Sequence, residues 1–452
     1  MRTSVNRIIE QESHICWYST DSRHHSDTTA NAIRCSTRQG RHTHSCLLAG
    51  ASRIHRAASL PLGAADYASV QDNKVAWLDP QGREHMNLDS ELTFRGLVVH
   101  AVDVPMNRTL ETGGGEVGSA AMVLIDLLTE EGVTGCSYLF CATPLVLKPL
   151  ANLLSNLAPL IEGDLLAPVE IERKLQKTFR LLGPQGLSAM AVAGIDMAAW
   201  DALAKSYKMP LVRLLGGRSS RIPAYNSCGL GMIGPERAAE EAQELLAPGF
   251  RAIKVRLGYR ELETDLEVVR AVRDSVGEEV VLMSDYNQSL SVAEAGRRTA
   301  ALEGEGLYWI EEPTRADDYS GHAQIRRDTK TPVQIGENWW GPHDAAKSIE
   351  AGASDYVMPD AMKIGGVTGW LRAAALAGAA GIPLSSHLFP EISAHLLAVS
   401  PTRHWLEYVD WATPILEEQI KTEDGYASAP DAAGIGISWD VGAVQRYSVG
   451  EP

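Results

Sequence analysis

The chain has 452 residues, a formal net charge of −16 and a hydrophobic content of 45%. This apolar content is ample for a large core, and the length indicates more than one domain or a barrel with additions. The negative charge argues against a surface that binds nucleic acid or anionic membranes. No apolar run approaches the roughly 18 residues of a membrane helix. The six cysteines have neither metal-ligand spacing nor the density of a disulfide scaffold, so we expect a cytoplasmic protein.

Residues 1–85 differ in composition from the rest of the chain. They hold nine Arg and only one Lys, together with seven of the thirteen His. The Arg- and Ser-rich start resembles a transit peptide, but four acidic residues before residue 28 weaken that interpretation. We expect disorder, or an extension translated from a wrong upstream start, because there is little apolar pattern to bury. A chain that begins at Met86 is expected to fold and to be active.

The segment 92–221 is predicted to form a separate α+β domain of usual size. Apolar alternation predicts a small antiparallel sheet, and the glycine-rich stretch 111–119 is expected to join its first two strands as a loop. Segments with helical periodicity follow. The predicted strands are 92–105, 121–128 and 138–140, and the predicted helices are 144–161, 168–182 and 187–206.

Strand-like and helix-like segments alternate over residues 222–413, which indicates consecutive βα units. Eight predicted strands match the number that a closed parallel barrel needs. The tail, 414–452, contains no further βα unit and is expected to pack on the 92–221 domain. The predicted strands are 222–227, 252–255, 280–284, 307–310, 333–335, 356–358, 382–385 and 406–409.

Acidic residues recur at an even pitch in this region, each just after a short apolar run. Asp285, Glu311 and Glu337 are separated by 26 and 26 residues, and Asp360 and His387 follow after 23 and 27 more. The loops after the strands of a parallel barrel share one face, and that face carries the chemistry. We therefore expect the first three carboxylates to converge. Three hard oxygen ligands suit Mg²⁺.

Two cations, Lys254 and Arg256, lie two residues apart at the end of a predicted strand, so both side chains face the barrel interior. Buried cations are costly unless they meet anions. One interpretation is an ion-pair network with the acids. We favour the other, in which these residues bind a substrate carboxylate or act as a base, because both lie at the carboxyl end of a strand.

Asp360 and His387 are predicted to lie on neighbouring strands. A carboxylate behind an imidazole fixes its tautomer and raises its basicity, although such a pair can also be a structural hydrogen bond. His387 is flanked by small polar residues and is expected at the rim, which favours catalysis. Glu407, on the eighth strand, could be a protonated acid opposite a metal or a solvated edge acid. His395 and His404 are expected to be structural.

A GxGxxG pattern spans residues 229–234, between a predicted strand and a predicted helix. By itself this pattern suggests a dinucleotide site and hence a nicotinamide dehydrogenase. That site needs an acid at the end of the next strand, where this chain has Lys254 and Arg256. A flexible loop over a substrate is the better interpretation.

These residues together resemble the mandelate racemase subgroup of the enolase superfamily, over about residues 92–441. The resemblance depends on long, specific blocks and leaves residues 1–85 without a counterpart. The blocks include Gly-Ile-Asp-Met-Ala-Ala-Trp-Asp (194–201), Asp-Tyr-Asn-Gln-Ser-Leu (285–290), Trp-Ile-Glu-Glu-Pro-Thr (309–314), Gly-Glu-Asn-Trp (336–339), Met-Pro-Asp-Ala-Met-Lys-Ile-Gly-Gly-Val-Thr-Gly-Trp (358–370), Ser-Ser-His-Leu-Phe (385–389) and Glu-Ile-Ser-Ala-His-Leu-Leu-Ala (391–398).

The resemblance implies an α/β fold, an enolase-type modified (β/α)7β-like barrel at 222–413 with an α+β capping domain at 92–221. It also implies an octamer or a similar homo-oligomer and a small carboxylate substrate, with neither nucleic acid nor membrane as a partner. The implied residue roles are Mg²⁺ on Asp285, Glu311 and Glu337, carboxylate binding by Lys254, polar substrate contacts by Asn287 and Ser227, a base formed by His387 with Asp360, and an acid at Glu407.

One departure from the family bears on the reaction. Arg256 stands where the racemase has a second lysine as the base on the opposite face. Arginine stays protonated, with a pKa above about 12, so it is a poor base. The capping stretch 110–117 is also more polar than the racemase loop, and Ala142 replaces an expected aromatic residue.

We therefore expect Mg²⁺-assisted removal of the α-proton of a 2-hydroxy acid, with dehydration of a sugar acid ahead of racemisation. A nicotinamide dehydrogenase and a non-catalytic binding protein are the remote alternatives. Retention of all three metal ligands and of the His–Asp pair argues against a binding protein.

Overall fold

The computed structural model describes residues 91–450 and, ahead of them, only the backbone of short strands. The chain divides into two units, Met1–Asn87 and Leu88–Pro452, which are described separately. In the first unit, most of the predicted extension lies outside the described residues and remains a prediction. The strands described there pair antiparallel in two groups, Arg7–Gln11, His14–Tyr18 and Cys35–Ser36, and Ala68–Gln71, Lys74–Leu78 and Glu84–His85.

The second unit begins with an antiparallel sheet of three strands, Phe94–Thr112, Gly115–Thr129 and Thr134–Phe140. The prediction of a loop at 111–119 is wrong, because the first two strands continue as a hairpin and turn only at residues 113–114. Thr112 closes this turn: its Oγ1 accepts from the Gly114 N–H at 3.1 Å. The ladder shifts register between Pro105 and Leu110, as expected where a proline provides no N–H.

Three helices follow: two of them pack against this sheet, and Pro168–Thr178 packs on helix Leu187–Ser206 instead. Helix Leu187–Ser206 has the predicted bounds, whereas Leu147–Leu157 and Pro168–Thr178 are shorter than predicted. The first of these is flanked by the 3₁₀ turns Pro144–Val146 and Ala158–Leu160. Helix Leu187–Ser206 is long and apolar enough to span a membrane by length and composition alone, but 78% of its most apolar window is buried within the molecule.

Two aspartates on helix Leu187–Ser206 attach the capping sheet to the rest of the unit. Asp196 accepts from the N–H of Thr368 at 3.0 Å and from its hydroxyl at 2.5 Å, which joins the helix to a barrel helix. Asp201 accepts from the N–H groups of Cys136, at 2.7 Å, and Ile435, at 2.6 Å. The Asp196 bonds hold the capping helix at the barrel, and the Asp201 bonds hold it to the capping sheet and the C-terminal segment.

Within residues 91–450, seven short parallel strands form the barrel. Strand Ile222–Asn226 pairs with Ala252–Arg256 on one side and with Leu406–Tyr408 on the other, which closes the cylinder. The predicted strand 382–385 is wrong as a continuous element: Leu384 makes only isolated bridges to both neighbours, and Pro383 lacks the N–H that a ladder needs. The remaining strands are Val281–Asp285, Ile310–Glu311, Val333–Ile335 and Tyr356–Val357.

Helices surround the barrel, and short elements follow the last strand. The segment after residue 413 returns to the capping sheet, where the Trp439 indole donates to Asp126 at 2.8 Å and Ser448 bridges Val102. The barrel helices are Pro235–Leu246, Leu262–Val276, Val292–Leu302, Tyr319–Asp328, Pro342–Ala351, Gly366–Ala380 and Pro390–Val399. The other elements are helices Leu211–Leu214 and Val441–Tyr447, the 3₁₀ turn Thr413–Ile415, and strands Thr422–Glu423 and Tyr426–Ala427.

His395 predicts a loss of stability in mild acid. The ring is fully buried; its Nδ1 accepts from the Val212 N–H at 3.1 Å, and its Nε2 lies 3.3 Å from the Ile435 carbonyl. Burial lowers the pKa of His395 from 6.5 to about 4. As pH falls through this interval, the unfolded chain is protonated first, so stability present above pH 6.5 is lost by about 1.4 kcal/mol per pH unit.

The measurement for His395 is the pH dependence of the free energy of urea unfolding between pH 4.5 and 6.5. We expect His395→Gln to have a shallower slope than the unmodified protein, by about one proton. Exposed His343 provides the matched control, and His343→Gln is expected to keep the original slope. Equal slopes for the two variants would contradict this account.

Candidate metal centre and active site

Three carboxylates meet at the carboxyl end of the barrel strands. Asp285 and Glu311 are the last residues of their strands, and Glu337 lies two residues beyond Val333–Ile335. All three are buried, and one oxygen from each lies within 4.8 Å of the others. This all-oxygen set is of the kind that holds Mg²⁺.

Lys254 lies at the centre of the acidic residues. Its Nζ is 2.6 Å from Glu311 Oε1, 2.9 Å from Glu407 Oε1 and 3.3 Å from Asp285 Oδ2, and its side chain is 1% exposed. The ion-pair network considered from the sequence is therefore present. This network is compatible with a role of Lys254 in substrate binding. A substrate carboxylate that binds a cation held by these acids would lie beside the Lys254 ammonium group.

The charge of this cluster fits a divalent cation. Burial raises the pKa of Glu311 well above its usual range, and the neighbouring acids Asp285, Glu337 and Glu407 raise it further, against the effect of Lys254. One ammonium thus faces four carboxylates in a dry environment. A divalent ion would relieve this repulsion and keep the ligands ionised.

His387 and Asp360 are in direct contact. Asp360 Oδ2 lies 2.7 Å from His387 Nδ1, which leaves Nε2 directed toward the site, 3.4 Å from Glu337 Oε2 and 3.9 Å from Glu407 Oε2. Burial lowers the pKa of His387, but Glu337, Glu407 and Asp360 together raise it above 6.5. The arrangement can accept a proton at Nε2 once the ring is neutral.

Glu407 differs from the expected protonated acid. Burial alone would raise its pKa, but Lys254, His387 and the Leu388 N–H, which donates to Oε2 at 2.9 Å, hold the pKa of Glu407 well below its usual range. In this arrangement Glu407 is a carboxylate. It could donate a hydrogen bond only after receiving a proton from a neighbour or a ligand.

Arg256 has partners that the sequence did not indicate. Its guanidinium donates to the Gly229 carbonyl at 2.6 Å, to Ser227 Oγ at 2.7 Å and to the Ser227 carbonyl at 3.3 Å. The side chain is 4% exposed. Arg256 therefore fixes the loop after the first barrel strand, and Ser227 Oγ is engaged by this arginine.

Asn287 makes two hydrogen bonds to Asp285. Its backbone N–H donates to Asp285 Oδ1 at 2.8 Å and its side-chain amide donates to Oδ2 at 3.1 Å. Its backbone has a φ of 43°, in the left-handed region. Asn287, which was predicted to contact the substrate, therefore lies at the acid cluster and is hydrogen-bonded to Asp285.

Four further side chains at the site were missed from the sequence. Trp309 Nε1 donates to Glu311 Oε2 at 3.0 Å, and Gln334 Nε2 approaches the same oxygen at 3.4 Å. Asn338 donates to Glu312 Oε2 at 2.7 Å and to Glu337 Oε1 at 3.1 Å. Only their positions next to predicted ligands could have indicated them: Trp309 and Glu312 lie on either side of strand Ile310–Glu311, and Asn338 follows Glu337.

The hairpin at the end of the capping sheet reaches the loops of the barrel face. A Cβ on Gly113 would lie 2.7 Å from Ser289 Oγ and 2.9 Å from the Tyr286 carbonyl, so only glycine fits this approach. The hairpin therefore contacts the loop that carries Asn287.

The glycine-rich segment 229–234 is occupied by contacts within the protein. The Met232 N–H donates to the Glu111 carbonyl at 2.8 Å, the Leu230 N–H donates to Glu241 Oε1 at 2.5 Å, and the Gly234 N–H donates to the Tyr259 hydroxyl at 2.9 Å. Three of the N–H groups that a pyrophosphate would need are therefore already used within the protein. These contacts disfavour the nicotinamide alternative.

A small apolar cavity adjoins His387. It lies between the capping sheet and the loops of the barrel face, and Leu388, which follows the histidine, forms part of its wall. The polar capping stretch 110–117 and Ala142 had argued against apolar surface at this place, so the cavity was not expected from the sequence. The cavity is lined by Met122, Tyr138, Phe140, Leu388, Phe389, Val409, Trp411 and Ala412.

Family models match most of the described chain. Residues 95–216 match the N-terminal domain of the mandelate racemase/muconate lactonizing enzyme family, and residues 237–443 match the enolase C-terminal domain-like family. Among curated proteins, the L-talarate/galactarate dehydratase of Salmonella typhimurium is 33% identical over 57% of this chain and 65% of its own length.

Solved structures agree with this assignment. An enolase from Bradyrhizobium, complexed with magnesium and mandelic acid, is 45% identical, with a TM-score of 0.77 over 80% of this chain and 100% of its own. An L-talarate dehydratase from Polaromonas, complexed with Mg and L-glucarate, is 28% identical, with a TM-score of 0.74 over 80% of this chain and 98% of its own. The expected fold is confirmed, and the chain belongs to the mandelate racemase/muconate lactonizing enzyme family of the enolase superfamily.

Proposed function

We propose that this chain is a Mg²⁺-dependent enzyme that removes the α-proton of a 2-hydroxy carboxylate, and that its reaction is the dehydration of a sugar acid. The observation that carries the proposal is the His387–Asp360 pair, whose free Nε2 faces the acid cluster with Lys254 at its centre. A base, a cation-binding set and an ammonium at one barrel end are what enolisation of a carboxylate requires.

Asp285, Glu311 and Glu337 would hold the ion, which when bound supplies a Lewis acid to the substrate carboxylate. Lys254 contributes a second positive charge for the developing oxyanion, at no cost of reorganisation because its carboxylate partners already hold it. Asn287 would orient Asp285 and contact the substrate. Ser227 would also contact the substrate, from the loop after the first barrel strand that Arg256 holds in place.

His387 Nε2 takes the α-proton, and Asp360 stabilises the imidazolium that forms. The C–O bond to the β-hydroxyl then breaks, and the same imidazolium can return its proton to the leaving oxygen as water. The enol product tautomerises to a 2-keto acid. This sequence needs one base, which suits a chain in which Arg256 replaces the second lysine.

Racemisation of an aromatic 2-hydroxy acid is the second candidate. The 45% identity to the Bradyrhizobium protein determined with mandelic acid favours it. The obstacle is the opposite face, where a second base is needed and Arg256 is engaged with Ser227 and Gly229.

The test is a substrate screen in D₂O with Mg²⁺, using sugar acids and aromatic 2-hydroxy acids in parallel. We expect 2-keto acid formation from a sugar acid, with deuterium entering C3 of the product as its enol tautomerises. Any α-deuterium in recovered substrate should arrive from one face only, with the configuration retained. Interconversion of the enantiomers of an aromatic acid, without keto acid, would assign the chain to the second candidate. Omission of Mg²⁺ is the control and is expected to abolish both signals.

The remaining proposals concern assembly and compartment. The family resemblance supports a homo-oligomer, and an octamer is the form we propose. A cytoplasmic location is supported by the cysteines that the structure describes, Cys136, Cys141 and Cys228, which are buried and free.

A further inference from the structure

Glu312 is a buried acid beside the metal centre to which the mechanism above gives no role. It follows Glu311 directly, its side chain is 1% exposed, and its backbone φ of 37° lies in the left-handed region. Its Oε2 accepts from Asn338 Nδ2 at 2.7 Å. Its Oε1 is buried and has no hydrogen-bond partner within residues 91–450.

Asn338 fixes where this carboxylate lies. The same amide nitrogen donates to Glu337 Oε1 at 3.1 Å, so the carboxyl groups of Glu312 and Glu337 share one amide donor. The Asn338 oxygen accepts from Lys363 Nζ at 2.5 Å, which prevents the amide from turning over. Glu312 is thereby held against a ligand of the cation set.

An unmet polar atom in the interior costs roughly 1–3 kcal/mol, and among the unpaired buried atoms of residues 91–450 this oxygen belongs to a carboxyl group that shares an amide donor with Glu337. The missing donor is supplied if a hydrated cation occupies the neighbouring carboxylates. Mg²⁺ usually keeps several of its waters in protein sites, and each of these waters is a strong hydrogen-bond donor. Glu312 does not belong to the three-residue ligand group itself.

We propose that Glu312 is a fourth carboxylate of the cation site, which acts from just outside the three ligands, and that Asn338 is the residue that positions it. The inference rests on the proposed Mg²⁺ site. Glu312 offers one acceptor oxygen toward the ion's hydration shell, and it therefore strengthens binding of the divalent cation. Outer partners of this kind are typically worth roughly 10–100-fold in metal affinity.

The test is calorimetric titration of MgCl₂ into the metal-free full chain, together with its thermal unfolding. Glu312→Gln is the informative variant, because its carbonyl oxygen can still accept from Asn338 while an amide nitrogen replaces the free oxygen. We expect about 10–100-fold weaker Mg²⁺ binding and an unfolding temperature of the metal-free protein that is not lowered. Glu350→Gln, an exposed change, is the matched control and is expected to bind as the unmodified protein does.

Asn338→Ala provides a second variant if Glu312→Gln does not fold, and it is expected to weaken Mg²⁺ binding several-fold. Binding by the folded variants within twofold of the unmodified protein would overturn the role of Glu312 and leave the proposed function intact. Failure of the unmodified protein to bind Mg²⁺ would instead overturn the proposed function and this inference together.

Discussion

Glu311→Gln is expected to abolish turnover while the barrel remains folded. Both oxygens of this carboxylate are used: Oε1 contacts Lys254 Nζ at 2.6 Å, and Oε2 accepts from the Trp309 indole at 3.0 Å. A glutamine must place its amide nitrogen against one of these two donors. We therefore expect loss of Mg²⁺ affinity beyond the roughly 10–100-fold caused by outer partners, and at least about 10²–10³-fold lower turnover.

The fold should survive this change because Lys254 keeps Asp285 and Glu407 as partners. The measurements are turnover of the substrate found in the screen, Mg²⁺ titration and far-ultraviolet circular dichroism. Glu279→Gln, an exposed change just before strand Val281–Asp285, is the matched control. Full turnover by Glu311→Gln in the presence of a chelator would rule out this metal site.

The convergence of the acids could be predicted because it depends only on periodicity. Asp285 and Glu311 end their strands, and parallel strands in a barrel end at one face. The interruption at 382–385 could have been anticipated from Pro383. The hairpin could not, since strand continuation through residues 111–119 depends on its contacts with the barrel loops rather than on local propensity.

Side-chain direction past the ends of the strands was beyond sequence reasoning. Glu312 occupies a left-handed backbone conformation, which an alternating pattern cannot indicate. Arg256 was expected to point at a substrate, but it donates to Ser227 and Gly229. The sequence could not indicate these partners, because only the folded loop brings them next to the guanidinium. The ionised state of Glu407 likewise depends on its 2.9 Å contact with Lys254.

The partners of Arg256 strengthen the one-base mechanism. A guanidinium stays protonated and has no lone pair with which to take a proton, and this one donates to three backbone carbonyls and a hydroxyl. His387 then remains as the base that we propose. It works only when neutral, and its pKa lies above 6.5, because the raising effect of Glu337, Glu407 and Asp360 exceeds the lowering effect of burial.

We expect α-proton exchange in D₂O from one face of the substrate only, at a rate that rises with pH through the His387 pKa. His387→Asn should lower this exchange by about 10²–10⁴-fold, the usual contribution of a general base. Arg256→Lys should add exchange at the opposite face, since a lysine beside Lys254 and a cation can lose its proton near neutral pH. The measurement is nuclear magnetic resonance of deuterium incorporation into each enantiomer of a 2-hydroxy acid. Comparable exchange of both enantiomers by the unmodified protein would mean that a second base operates, and the preference for dehydration would then be wrong.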